Sequence, residues 1–191
     1  VQTVNGWRKA EDIGWTYCHE HLYVDLSAHK SDPDTNFNDL DAVVAEFAQL
    51  KELGVGAVVD VTNRGMGRSV EALQRVSAET GIHVIASTGF YKAPYLPDYF
   101  LQSEQALIRL LVSDIQQGID DSGVRAHVIG EVGTSKDDIT AEERKLLRVA
   151  AATHCETGHP IYTHTTLGTM ALEQLALLKE RGVDLTRVAI G

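Results

Sequence analysis

The chain has 191 residues, 43% of them hydrophobic and 23% charged, a composition that suits one well-buried core and leaves little room for two. An excess of 27 acidic over 17 basic side chains gives a formal net charge of -10, which argues against nucleic acid or an anionic membrane surface as the main partner. Cys18 and Cys155 are too few for a disulfide framework, no apolar run would span a bilayer, and no signal-peptide pattern opens the chain, so a cytoplasmic protein acting on a small molecule is expected.

Val1 to Gly14 reads as a small hairpin with Asn5-Gly6 as its turn dipeptide. A first core strand then ends at His21, and Leu22 to Asn38, containing Ser31-Asp32-Pro33-Asp34, reads as loop. Leu40, Val43, Val44, Phe47, Leu50 and Leu53 recur at helical spacing before Gly54, predicting a helix over 40–53. Ala57-Val58-Val59-Asp60-Val61 is almost continuously apolar, as in a strand buried on both faces. Beyond the glycine-containing loop 62–68, Ser69 caps a predicted helix that Gly81 stops.

The same unit repeats along the rest of the chain. A predicted strand over 83–87 leads through Pro94 and Pro97 to a helix over 104–117, and a fourth strand covers 128–132. Thr140-Ala141-Glu142-Glu143 has the form of a capping box opening a helix to Thr157, a fifth strand is predicted over 160–164, a fifth helix over 169–181, and a sixth strand from Val188. Strands alternating with helices at this spacing build a parallel sheet. A (β/α)8 TIM barrel is favoured over an open doubly wound sheet, because the unusual residues fall at the C-terminal ends of several different strands and no Gly-x-Gly-x-x-Gly follows a strand. Complete barrels run to about 250 residues. Residues 1–191 are therefore expected to be the N-terminal portion of a single barrel, its first six strands and five helices.

Four candidate metal ligands stand at those strand ends: His19 and His21 in Tyr17-Cys18-His19-Glu20-His21-Leu22, Glu131 after Gly130, and His164 in Thr163-His164-Thr165. Side chains two apart on a strand share a face, and neutral imidazole is a common ligand of zinc-like ions. Each residue also has an ordinary role open to it: half-exposed strand histidines, a glutamate paired with arginine, a hydrogen-bonded core histidine. His83, His127 and His159 fall near strand starts, His154 inside a helix and His29 in a loop, and all five are expected to be structural. Three imidazoles and a carboxylate suit one zinc ion, or two if the carboxylate bridges. Arg64 is a candidate contact for an anionic substrate group or a loop ion pair, and Tyr91 a candidate pocket residue or a packed loop aromatic.

Together with Thr3-Val4-Asn5-Gly6, Val61-Thr62-Asn63-Arg64, Gly67-Arg68, Ile129 to Ser135, Pro160 to Thr165 and Arg187 to Gly191, the His19 segment resembles the phosphotriesterase family of the amidohydrolase superfamily, and within it the bacterial phosphotriesterase homology proteins. The resemblance implies a binuclear Zn2+ hydrolase in which His19 and His21 hold the more buried ion, Glu131 bridges both and His164 holds the other. In phosphotriesterases proper a carbamylated lysine is the bridge. The remaining histidine ligand and the general-base aspartate would follow Gly191. The expected reaction is attack by a metal-bridging hydroxide on an ester, lactone or phosphoester. The alternatives are an N-acyl amide hydrolase or deaminase of the same superfamily and a silent metal-binding fragment needing a complementary chain. A homodimer is left open.

Overall fold

Segments rich in β-branched or aromatic residues form a six-stranded parallel sheet: β1 (Trp15–Glu20), β2 (Val55–Asp60), β3 (His83–Thr88), β4 (Val128–Thr134), β5 (Ile161–Thr165) and β6 (Val188–Ile190). The computed structural model describes residues 1–191, the side chain of Ala28 excepted. Spatial order follows sequence order from β1 to β6, and every neighbouring pair is parallel. A doubly wound sheet reverses its strand order at a switch point, whereas a (β/α)8 barrel adds each strand beside the last. The architecture is thus a curled portion of a TIM barrel, with β1 and β6 as its edge strands.

Five helices of ten residues or more cross between the strands: α1 (Leu40–Glu52), α2 (Val70–Thr80), α3 (Glu104–Gln116), α4 (Ala141–Thr157) and α5 (Ala171–Glu180). The first four begin at side-chain caps, Asp39, Ser69, Ser103 and Thr140, each accepting from a backbone N–H of the first turn. At α4 the full capping box forms, Glu143 returning a bond to the Thr140 N–H. Strand alternation sorts the core: Val58, Val84 and Ile129 pack toward the helices, while Ala57, Val59, Ile85 and Val128 form a second cluster on the sheet's other face.

Two local expectations are corrected. In the first hairpin Thr3 pairs with Gly6, so the turn is Val4-Asn5, and Gly6 follows it at φ +97°. Residues 22–38 are not plain loop: Val24–Asp25 pairs antiparallel with Asn36–Phe37 around the helical turn Ser27–Lys30. Strands of two residues carry no readable periodicity.

The histidines near strand starts lie away from the cluster described below. His127 has a buried Nδ1 without a hydrogen bond and packs edge-on against Trp7 and His159. Burial, with His159 beside it, pulls its pKa from 6.5 to about 4. Between those values the unfolded chain binds a proton that the fold refuses, so stability is lost as the pH falls from about 6.5 to about 4. The urea midpoint should drop across that window, and less steeply in H127Q.

Candidate metal centre

Two strand irregularities aim the site. Tyr17 pairs with Val58 and Glu20 with Asp60, three steps on β1 against two on β2; Ile129 pairs with Ile161 and Val132 with Thr163, again three against two. Each extra residue makes a bulge, a device that redirects side chains near strand ends. His19 lies within the first interval and Glu131 within the second. Simple alternation therefore does not account for His19 and His21 meeting, since the register slips between Tyr17 and Glu20 and His21 lies just past β1. Gly130 permits the second bulge: its φ is +141°, and a Cβ there would stand 2.2 Å from the Tyr162 carbonyl oxygen.

The outcome is three imidazoles around one carboxylate. Nε2 of His19 lies 3.2 Å from Oε2 of Glu131, Nε2 of His21 lies 3.2 Å from Oε1, and Nδ1 of His164 lies 3.3 Å from Oε2. Glu131 is only 2% exposed. Burial pushes its carboxyl up, but the imidazoles outweigh burial and hold it well below the usual carboxylate range. The same pairing holds His21 above its ordinary value against the opposing effect of burial. Donor atoms of His19, His21 and Glu131 all lie within 4.8 Å of one another, while His164 reaches the carboxylate from β5. Oε2 is buried yet accepts no aligned N–H, although two imidazole nitrogens are close to it. A buried acceptor left this way costs about 1–3 kcal/mol, and a divalent cation held between carboxylate and imidazole lone pairs would satisfy it. The residues present fit such an ion.

Strand β2 supplies no ligand but steadies two of them, through residues the sequence reading passed over. Asp60 is fully buried and accepts from the Leu22 and Thr62 N–H groups at 2.7 and 3.0 Å; burial nevertheless raises its pKa to about 6. The Thr62 hydroxyl meets Nδ1 of His21 at 2.8 Å, which leaves Nε2 toward Glu131. Asn63 donates to the Glu131 carbonyl at 2.7 Å. The available signal was Asp60 itself, a charge inside an otherwise apolar strand, which must find partners to be buried there. T62V should weaken metal affinity about 10- to 100-fold, the usual range for an outer hydrogen bond to a metal-binding histidine, and T62S should restore it; metal titration checks both.

The two proposed substrate contacts part company. Arg64 is held at 2.7 Å by Asp114 and at 3.0 Å by Asp120; burial lowers its pKa, but Asp114 outweighs that and raises it. Its charge is thus engaged in a loop ion pair. Tyr91 is buried with Met66 and Tyr95, and its hydroxyl stands 3.1 Å from Nε2 of His164. Lys92, also passed over, places Nζ 3.4 Å from the same Nε2 and 2.5 Å from Thr166 Oγ1, and burial pulls its pKa below the ordinary lysine value. A cavity of about 290 Å³ beside the cluster is walled by Cys18, His19, Tyr162, His164 and Thr165, with β6 residues at its edge.

Side chains from separate strand tips, gathered at the C-terminal end of a parallel barrel, define an enzyme-like TIM-barrel protein with a candidate metal centre. The phosphotriesterase family model matches residues 1–191, and the chain belongs to that family. It is 44% identical over 182 residues to the phosphotriesterase homology protein of Escherichia coli, covering 95% of this chain and 62% of that protein. A crystal structure of the E. coli protein with phosphate in its active site superposes with a TM-score of 0.91 at 43% identity, over 94% of this chain and 62% of that one. The aryldialkylphosphatase of Saccharolobus solfataricus is 34% identical over 191 residues, covering 96% of this chain and 60% of that protein. A lactonase from Listeria monocytogenes superposes with a TM-score of 0.92 at 27% identity, over all of this chain and 64% of that one. The chain thus spans about 62% of the length of the E. coli relative. Among the described residues no helix is long and apolar enough to cross a membrane.

Proposed function

We propose that residues 1–191 are the N-terminal portion of one metal-dependent hydrolase barrel that cleaves an ester, lactone or phosphoester bond in a small molecule. The observation that carries this reading is the convergence of His19, His21 and His164 on the buried Glu131 carboxylate. In this reading His19 and His21 would hold one divalent cation, His164 would hold a second, and Glu131 would serve both, with Zn2+ suited to the imidazole and carboxylate donors. Such cations supply acidified water and offset negative charge on the substrate oxygen. The chain's own part is to orient: Thr62 fixes which nitrogen His21 presents, Asn63 holds the Glu131 backbone, and the Tyr91 hydroxyl meets the ring of His164. The general-base aspartate is expected beyond Gly191. The names of two relatives, an aryldialkylphosphatase and a lactonase, support the range of bonds. Exposed, unpaired Cys18 and Cys155 suit a reducing, cytoplasmic setting.

The test is metal analysis of the full-length protein with a screen of lactones, carboxyl esters and phosphotriesters. Two ions per chain and metal-dependent turnover support the reading. One ion per chain points to the alternative of a deaminase-like member of the same superfamily working with a single ion, and a metal-free, inert full-length protein overturns the proposal.

A further inference from the structure

We propose that Lys92 makes this site selective for substrates bearing an oxyanion, a carboxylate, phosphate or sulfonate, a few atoms from the bond that breaks. The inference rests on the hydrolase reading and names the substrate class for it. Arg64, the cation that sequence pattern offers for this task, is neutralised by Asp114 and Asp120. Lys92 differs. Among the described residues it forms no ion pair, and its polar contacts are Thr166 Oγ1 at 2.5 Å and His164 Nε2 at 3.4 Å. An ammonium has three donors; the threonine oxygen takes one, and a second is taken where His164 Nε2 accepts, which leaves one or two free.

Location decides what the others meet. His164 turns Nδ1 toward Glu131 and Nε2 toward Lys92, so the ammonium stands one imidazole ring away from the buried carboxylate. The Tyr91 hydroxyl reaches the same Nε2, placing a second polar group on that side, and Nζ lies 5.1 Å from the centre of the Tyr91 ring. The backbone around Lys92 is tied down: the Gly133 N–H donates to Tyr91 and the Tyr95 N–H to Lys92, at 2.7 and 2.8 Å. Gly133 leaves the space, since a Cβ there would lie 3.3 Å from the Cβ of both Lys92 and His164. A chain of net charge -10 repels anions at long range, and the proposed cations serve the bond that breaks, so an anionic substituent away from that bond needs a positive partner of its own. A charge-assisted bond to lysine supplies it.

The experiment measures, on the full-length, metal-loaded protein, the affinity for inorganic phosphate by calorimetry, alongside a screen of lactones and esters in matched pairs with and without a carboxylate, phosphate or sulfonate group. In wild type, phosphate binds and anionic members of the screen lead in kcat/KM. Lys92→Met should weaken phosphate about tenfold or more at unchanged metal content, and Lys92→Arg should restore most of it. A purely structural tie to Thr166 would instead lower Tm in Lys92→Met and leave phosphate affinity intact, which overturns the inference. So does a metal-loaded wild type that binds no phosphate, or one whose turnover is confined to neutral substrates. A full-length protein without metal and without turnover overturns the hydrolase reading, and this inference with it.

Discussion

E131Q should strip the full-length protein of metal and reduce its turnover to background, while the metal-free variant melts at or above the temperature of metal-free wild type at pH 8. The amide keeps the size of the carboxylate but not its charge or its second acceptor oxygen. Glu131 is 2% exposed, its Oε2 accepts no aligned hydrogen bond, and three imidazole nitrogens crowd within 3.2–3.3 Å. The imidazoles that hold Glu131 ionised do so most strongly when they are charged, so at pH 8 the buried anion adds little to the fold, and sites of this kind commonly lower stability in exchange for function. Metal changes the balance, since a ligand bound only by the folded state stabilises it by about 4 kcal/mol at a thousandfold excess over its Kd. Wild type should therefore gain a large Tm increment on adding Zn2+, and E131Q almost none. If E131Q instead unfolds more easily and binds metal as before, Glu131 is a structural anchor for charged histidines and is removed from the set of metal ligands.

What could be read from the chain divides along a physical line. Ser69 and the Thr140–Glu143 box were legible because a cap is a contract between residues three positions apart. The barrel was legible because the same strand–loop–helix unit recurs and the reactive side chains sit at successive strand ends. His19, His21, Glu131 and His164 stood out as chemistry at those ends, reinforced by the family resemblance. The bulges that aim them were not legible, because a register shift depends on which residue of the neighbouring strand is opposite. Thr62 looked like the start of a loop, and only the fold sets its hydroxyl against His21. Arg64 kept two equal readings for the same reason: Asp114, fifty positions away, is its partner.

Asp114 carries the second large expectation. D114A should destabilise the protein by about 3–5 kcal/mol, the loss typical of removing one partner from a buried ionic cluster, and lower the urea midpoint accordingly. Arg64, Arg68 and the Thr88 hydroxyl all bond to its carboxylate, at 2.7, 3.3 and 2.5 Å, and the side chains of Arg68 and Asp114 are each 3% exposed. Without the carboxylate two guanidinium groups lose their shared buried counter-charge, with Asp120, 58% exposed, left to hold them from one side. The loss should reach the candidate metal centre as well, because Arg64 and Arg68 pin the same loop whose first residues, Thr62 and Asn63, hold His21 and Glu131. D114A should thus bind Zn2+ more weakly even where it is still folded. The cluster can be told from a mere set of contacts by replacing it whole. Apolar residues of similar volume often substitute for a buried ionic group at little cost, so D114L/R64M/R68M should be more stable than D114A while binding metal no better. If the triple variant is instead the less stable of the two, the arginines contribute on their own account and Asp114 is not the centre of the clamp.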